Sequence, residues 1–186
     1  MPRAQRREQI LGAATRAFAR AGFTRTGLDV IAAEAGVTPV ILYRHFASKA
    51  DLYQAVLESA GARLREAVGP DTFDDTSIPA LLRAASADPA AFRLLFRYAP
   101  REPEFLDVID GFRATATEIA HRNLADIGDE RWRSWAAALL PALTTDAVIA
   151  WLDAGRPDPD QAALRIQHIV DAVIDAARAG VNSYTL

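Results

Sequence analysis

The chain has 186 residues, 51% of them hydrophobic and 24% charged, with no cysteine and a formal net charge of −3. That length makes one or two small domains with enough buried surface for a core, and the missing thiols exclude disulfides and thiolate metal sites. Enzyme chemistry finds no foothold: there is no P-loop, no G-x-S-x-G, no H-E-x-x-H and no cysteine nucleophile.

Charge becomes informative once it is divided. Residues 1–50 hold eight basic groups (Arg3, Arg6, Arg7, Arg16, Arg20, Arg25, Arg44, Lys49) against three acidic ones (Glu8, Asp29, Glu34), a surplus of five. The remainder therefore carries an excess of eight negative charges. A basic head on an acidic body is the asymmetry of a chain with one end on phosphate. The longest uncharged stretch, Ser134 to Thr145, is too short to span a bilayer. Arg16 and Arg20 interrupt the only apolar segment near the start, which argues against a signal peptide. A cytoplasmic location with no membrane contact is expected.

A short basic arm, Met1 to Arg7, precedes a first helix from about Arg6 to Ala21, with Ile10, Ala14 and Phe18 four apart on its buried face. Gly22 ends it and Phe23 returns as a core plug. Thr26 is read as the N-cap of a second helix, with Asp29 closing an acidic capping box. Gly36 supplies the left-handed residue that stops this helix. Thr38 caps a third helix with Pro39 at its first position, and Leu42 and Phe46 form its inner side. Ser48, with Asp51 at the box position, caps a fourth helix reaching about Val68. Two short helices around a glycine turn make a helix-turn-helix, whose second member fits a DNA major groove.

The run G-V-T-P-V-I-L-Y-R-H-F-A-S-K-A-D-L, taken with Phe18, Gly22 and Phe23, resembles the DNA-binding domain of the TetR family of bacterial transcriptional regulators. The family's pattern is G-V-S-x-x-x-L-Y-x-H/Y-F-x-x-K-x-x-L. Gly36, Val37, Leu42, Tyr43, His45, Phe46, Lys49 and Leu52 match it. The resemblance implies an all-α protein: a three-helix DNA-binding domain over residues 1–50, and a helical effector-binding and dimerisation bundle over 51–186.

DNA contacts are expected at Thr26 and Gly27, where free N–H groups at a helix start favour phosphate. Along the third helix, Thr38, Pro39, Val40, Ile41, Tyr43, Arg44 and His45 share the outward side. Tyr43 and His45 are read as backbone anchors. Arg44 can contact guanine in bidentate fashion, and the apolar residues can meet a thymine methyl. Lys49, the only lysine in the chain, opposes the dipole of its own helix. Phosphate binding is the reason expected for it.

Beyond the fourth helix, helical period and Pro/Gly punctuation give Ser77 to Ala87, Pro89 to Arg97, a break at Pro100 to Pro103, and a long helix to about Ile127. The loop from Asp71 to Ser77 and the acid pairs Asp74/Asp75 and Asp158/Asp160 read as solvated. A tryptophan-rich segment follows Gly128, bounded or kinked at Pro141, and a final helix closes at Gly180. The last helix is apolar at more positions than one stripe requires, and three tryptophans are unusual on a free surface.

Resemblance adds a homodimer through the last two helices, here Leu139, Leu143, Ile166, Ile169, Val170 and Val173, reading a palindromic operator in double-stranded DNA. It also implies an unidentified small-molecule effector, with Phe92, Phe96, Phe105, Phe112, Arg113 and Trp151 as candidate lining. No cofactor and no metal are expected, since His121 and His168 do not make a ligand set. The expected function is a repressor released from its operator by the effector. The rival is a helical sensor or interaction module with a vestigial DNA head.

Overall fold

The computed structural model describes residues 2–69 and 74–179, all helical, turn or loop, with no strand among them. Helices α1 (Arg3–Arg25), α2 (Leu28–Glu34), α3 (Pro39–His45) and α4 (Lys49–Val68) come first. They are followed by α5 (Ser77–Ala87), α6 (Pro89–Arg93), α7 (Leu106–Asn123), α8 (Glu130–Asp153) and α9 (Pro159–Arg178). The expected ends at Pro70 and Gly180, and part of the loop from Asp71, lie outside the described residues.

The described chain forms two compact units. The first joins Met1–Leu64 to Asp88–Ile109, and the second joins Arg65–Ala87 to Asp110–Leu186. The division foreseen after residue 50 would cut the first turn of α4, whereas the division within α4 comes after Leu64. The reason is burial, since Leu52, Tyr53, Val56 and Leu57 of α4 are wholly shielded from solvent within the first unit.

In that unit Ile10, Ala14 and Phe18 are fully buried, as the four-residue spacing predicts. Each large apolar side chain so buried contributes about 1.5–3 kcal/mol. Phe18, Phe23, Tyr53 and Phe105 form one aromatic cluster, with Phe105 centred 4.9 Å from Phe23 and 4.5 Å from Tyr53. The Tyr53 hydroxyl is buried there without a hydrogen-bond partner among the described residues. Burial pushes its phenol far up, and the charge of Glu102 adds to the effect.

Between α6 and α7 the backbone leaves the α-helical path. A π turn spans Leu94–Tyr98, and 3-10 turns follow at Ala99–Arg101 and Pro103–Phe105. Pro100 and Pro103 have no N–H to continue an α-ladder, so the expected helix to Arg97 is distorted at its end. The turn does deliver Phe105 into the aromatic cluster.

In the second unit Ala120, Leu124, Ile127, Ala136, Ala137, Leu140 and Ala177 form a core on which Val170, Val173 and Ile174 pack. Helix α8 runs through Pro141 without ending there. Among the described residues it is the one helix long and apolar enough to cross a membrane by length and composition. Within this unit, however, its Ala136, Ala137, Leu140, Val148, Ile149, Trp151 and Leu152 are buried. Helix α7 ends at Asn123, and a short turn carries the chain to Ile127.

Candidate nucleic-acid interface

The turn between α2 and α3 is built by local chemistry. Gly36 takes φ +61°, and its N–H donates to the Ala33 carbonyl at 3.1 Å while that of Val37 donates to Ala32 at 2.9 Å. This double bond is the Schellman closure that a left-handed glycine permits. Thr38 then accepts from the Ile41 N–H through its hydroxyl, and Pro39 occupies the first helical position. From α1, the Gln9 amide donates to the Ala35 carbonyl at 2.8 Å and ties the turn to the scaffold.

Leu42 and Phe46 hold α3 down, at 0% and 2% exposure. That anchoring sends Val40 (62% exposed) and Tyr43 (56%) outward, together with Thr38, Pro39 and Arg44. Ile41 and His45 sit at the edge, half-buried. Arg44 makes no hydrogen bond or ion pair among the described residues, so its donor fork is available to a ligand. Arg7 stacks its guanidinium 5.0 Å over the Phe46 ring. By contrast, Arg16 and Arg20 both pair with Glu34 across α1 and α2, and the Arg20 guanidinium holds that carboxyl below its usual range.

One expectation needs correcting. Thr26 is not the cap of α2: it is buried, its hydroxyl donates to the Gly22 carbonyl at 2.7 Å, and Gly27 holds the cap position without a side-chain bond. The positive φ at Gly22 breaks α1 and leaves a carbonyl in want of a donor, which Thr26 supplies. Lys49 has, in addition, a long-range structural role that the sequence did not suggest. Its Nζ donates to the carbonyls of Phe23 (3.0 Å) and Thr24 (3.3 Å) and stands 4.5 Å over the Phe23 ring. A cation set against the start of its own helix thus satisfies the negative end of another. Ser48 and Asp51 cap α4 as expected, with Asp51 accepting from Ala47 at 2.7 Å.

An open groove of about 530 Å³ gathers Thr26, Gly27, Pro39, Tyr43 and Lys49 on one surface. Thr24, Arg25, Leu28 and Asp29 complete its lining. Arg25, exposed and bonded through Nε to the Ala21 carbonyl, is a cation that motif reading overlooked. The signal was its place directly before Thr26 in a basic head. Chemically, the surface offers a phenol, an ammonium and a guanidinium beside a helix start, which suits a phosphate backbone. Arg44 and Val40 suit base edges.

The candidate effector residues are divided between the two units. Phe92, Phe96 and Phe105 belong to the first unit, where Phe92 and Phe96 stack at 4.7 Å and Phe105 fills the aromatic cluster. Phe112, Arg113 and Trp151 belong to the second: Phe112 lies under Arg65, Arg113 pairs with Asp110, and Trp151 is buried with its indole donating to the Pro157 carbonyl.

Among the candidate dimer residues Ile166 is buried in its own unit, while Leu139, Leu143, Val170 and Val173 are half-buried and Ile169 is 45% exposed. Leu164 (54%), Trp132 (41%) and Trp135 (42%) are exposed as well, the two indoles meeting edge to face at 5.7 Å.

Known proteins match this arrangement at several levels. The family model described as bacterial regulatory proteins, tetR family, matches residues 10–56. The HTH-type transcriptional activator FasR of Mycolicibacterium smegmatis is 33% identical over 175 residues, covering 87% of this chain and 80% of its own length. The HTH-type transcriptional regulator TtgR of Pseudomonas putida is 53% identical over 53 residues, covering 28% of this chain and 25% of itself. Among solved structures, a TetR-like transcriptional regulator from Rhodococcus sp. RHA1 aligns with a TM-score of 0.80 at 23% identity, covering 97% of this chain and 99% of that one.

Proposed function

The chain belongs to the TetR family of bacterial regulators and is a DNA-binding transcriptional regulator, and on that premise we propose that it is a homodimeric, effector-released repressor. Two copies of α3 read two half-sites of a palindromic operator about one helical turn apart. Thr38, Pro39, Val40, Ile41 and Arg44 face base edges. Tyr43, His45, Lys49, Arg25 and the backbone at Thr26 and Gly27 meet phosphate. The observation that carries this reading is the α3 surface itself, where Val40, Tyr43 and Arg44, the last without a partner among the described residues, project from a helix pinned by Leu42 and Phe46.

Dimerisation through α8 and α9 is supported by Leu164 and Ile169, large apolar groups left in solvent on one helix. The effector, an unidentified small molecule, favours a conformer whose heads are misspaced for the operator. We assign the protein no catalytic role or cofactor, and place its work in the cytoplasm. A second reading, activation, is favoured by the similarity of most of this chain to FasR, a transcriptional activator.

The test is titration of a palindromic duplex from the promoter of its own gene, at several salt concentrations. Specific binding that weakens steeply with salt is expected. Equal, feeble binding to all sequences would instead identify a sensor with a vestigial head. Joint substitution of Tyr43 and Lys49 should weaken binding to every duplex alike, and unchanged affinity would remove them as anchors. A reporter downstream of the bound site separates repression from activation.

A further inference from the structure

A second concave surface lies wholly within the second unit. On α5 the spacing 79, 82, 83, 86 puts Pro79, Leu82, Arg83 and Ser86 along one face, and that face lines a cleft of about 570 Å³. Its far side is Trp151 of α8, the Gly155–Arg156 turn and the first residues of α9, Pro159 and Asp160. The volume is that of a small-molecule site. The cleft has two unlike halves: Pro79, Leu82, Trp151 and Pro159 are apolar, whereas Arg83, Ser86 and Arg156 are donors.

The backbone at Arg156 is unusual. It follows Gly155 (φ +84°) and itself takes φ +60°, the one described non-glycine residue with positive φ. Its N–H closes α8 on the Trp151 carbonyl at 3.0 Å. Glycine or asparagine fits such a position more easily. What arginine adds is a guanidinium that reaches α5, where Nη1 donates to Ser86 Oγ at 3.4 Å. Its remaining donors meet no acceptor among the described residues, and neither do those of Arg83. The indole of Trp151 is fixed by its bond to the Pro157 carbonyl at 2.6 Å, so the apolar wall is rigid. Asp158 is engaged in capping α9, accepting from the N–H groups of Asp160 and Gln161 at 3.1 Å each. Asp160 is the carboxylate on the cleft wall, and it forms no ion pair with Arg83 or Arg156 among the described residues.

We propose that this cleft binds a small organic carboxylate with a flat apolar body. The body lies against Trp151, Leu82 and Pro79, and the carboxylate takes paired N–H donors from Arg156, with Arg83 and the Ser86 hydroxyl beside it. The site stands independently of the effector role proposed above, since it concerns binding alone.

The experiment uses the full chain, 2-naphthoate as the probe and 2-naphthamide as its uncharged counterpart, followed by calorimetry and by the indole N–H resonances. One naphthoate per chain is expected, with the amide at least about tenfold weaker. The Trp151 indole signal should move while those of Trp132 and Trp135 stay. Arg156→Gly relieves the positive-φ strain, so that variant should melt no lower than the parent yet bind naphthoate at least about tenfold more weakly. Arg83→Gln should weaken binding in the same sense with an unchanged fold. Equal affinity for acid and amide, undiminished binding by Arg156→Gly, no binding at millimolar naphthoate, or shifts confined to Trp132 and Trp135 would each overturn the assignment.

Discussion

Helices α3 and α9 both leave large apolar side chains in solvent, and they do so in different company. On α3, Val40 and Tyr43 stand among Thr38 and an exposed Arg44 over seven residues. On α9, Leu164 and Ile169 flank a stripe in which Ile166 is buried and Val170 and Val173 are half-covered. Apolar groups mixed with donors suit a DNA groove, whose floor carries both methyls and acceptors. A longer helix whose apolar stripe is only half covered suits another copy of itself. Exposure alone does not separate the two uses; the neighbours do.

The largest expected effect breaks that contrast at α9. Leu164→Glu with Ile169→Glu should convert a dimer to a monomer by light scattering and cut affinity for a palindromic operator by roughly 100-fold or more. Val40→Glu should leave the mass unchanged. A dimer that survives the double substitution would mean that α9 is not the interface.

Next in size, Arg44→Ala should relax preference at one base pair per half-site by about 1–3 kcal/mol, read by binding to a duplex series mutated one pair at a time. Loss spread evenly over all duplexes would make Arg44 a phosphate contact instead.

Lys49→Met sharpens the comparison from beneath α3. Removing the donor to the Phe23 and Thr24 carbonyls should lower stability by about 1 kcal/mol in denaturant titration, and lower DNA affinity without changing preference. Full stability with reduced affinity would make Lys49 a DNA contact alone.

The smallest effect lies in the second unit and sets a pH baseline for the others. Glu130 is hydrogen-bonded by the Arg133 guanidinium and by His121 at 2.8 Å, which lowers its carboxyl from 4.5 to about 2. A depressed folded value means that its contribution is present above pH 4.5 and disappears as pH falls toward 2. Thermal melts from pH 6 to pH 2.5 should therefore decline less steeply for Glu130→Gln than for the parent. Glu34, held low by Arg20 and Arg16, should add to the same acid-side loss from the first unit.

The amino-acid sequence alone determined the turn around Gly36, the caps at Thr38 and Ser48, the inward pair Leu42 and Phe46, and the outward group on α3. All of these rest on interactions a few residues apart, where spacing, dihedral preference and capping chemistry suffice. Tertiary structure decided the rest. Lys49 finds its acceptors 25 and 26 residues upstream, and Thr26 turns inward because a glycine break exposes the Gly22 carbonyl. Phe105 reaches the first core only through a π and 3-10 detour, and the candidate effector aromatics disperse into two units. Side chains such as these are placed by whichever long-range partner removes the most apolar surface or satisfies the loneliest polar atom, and no local pattern encodes that choice.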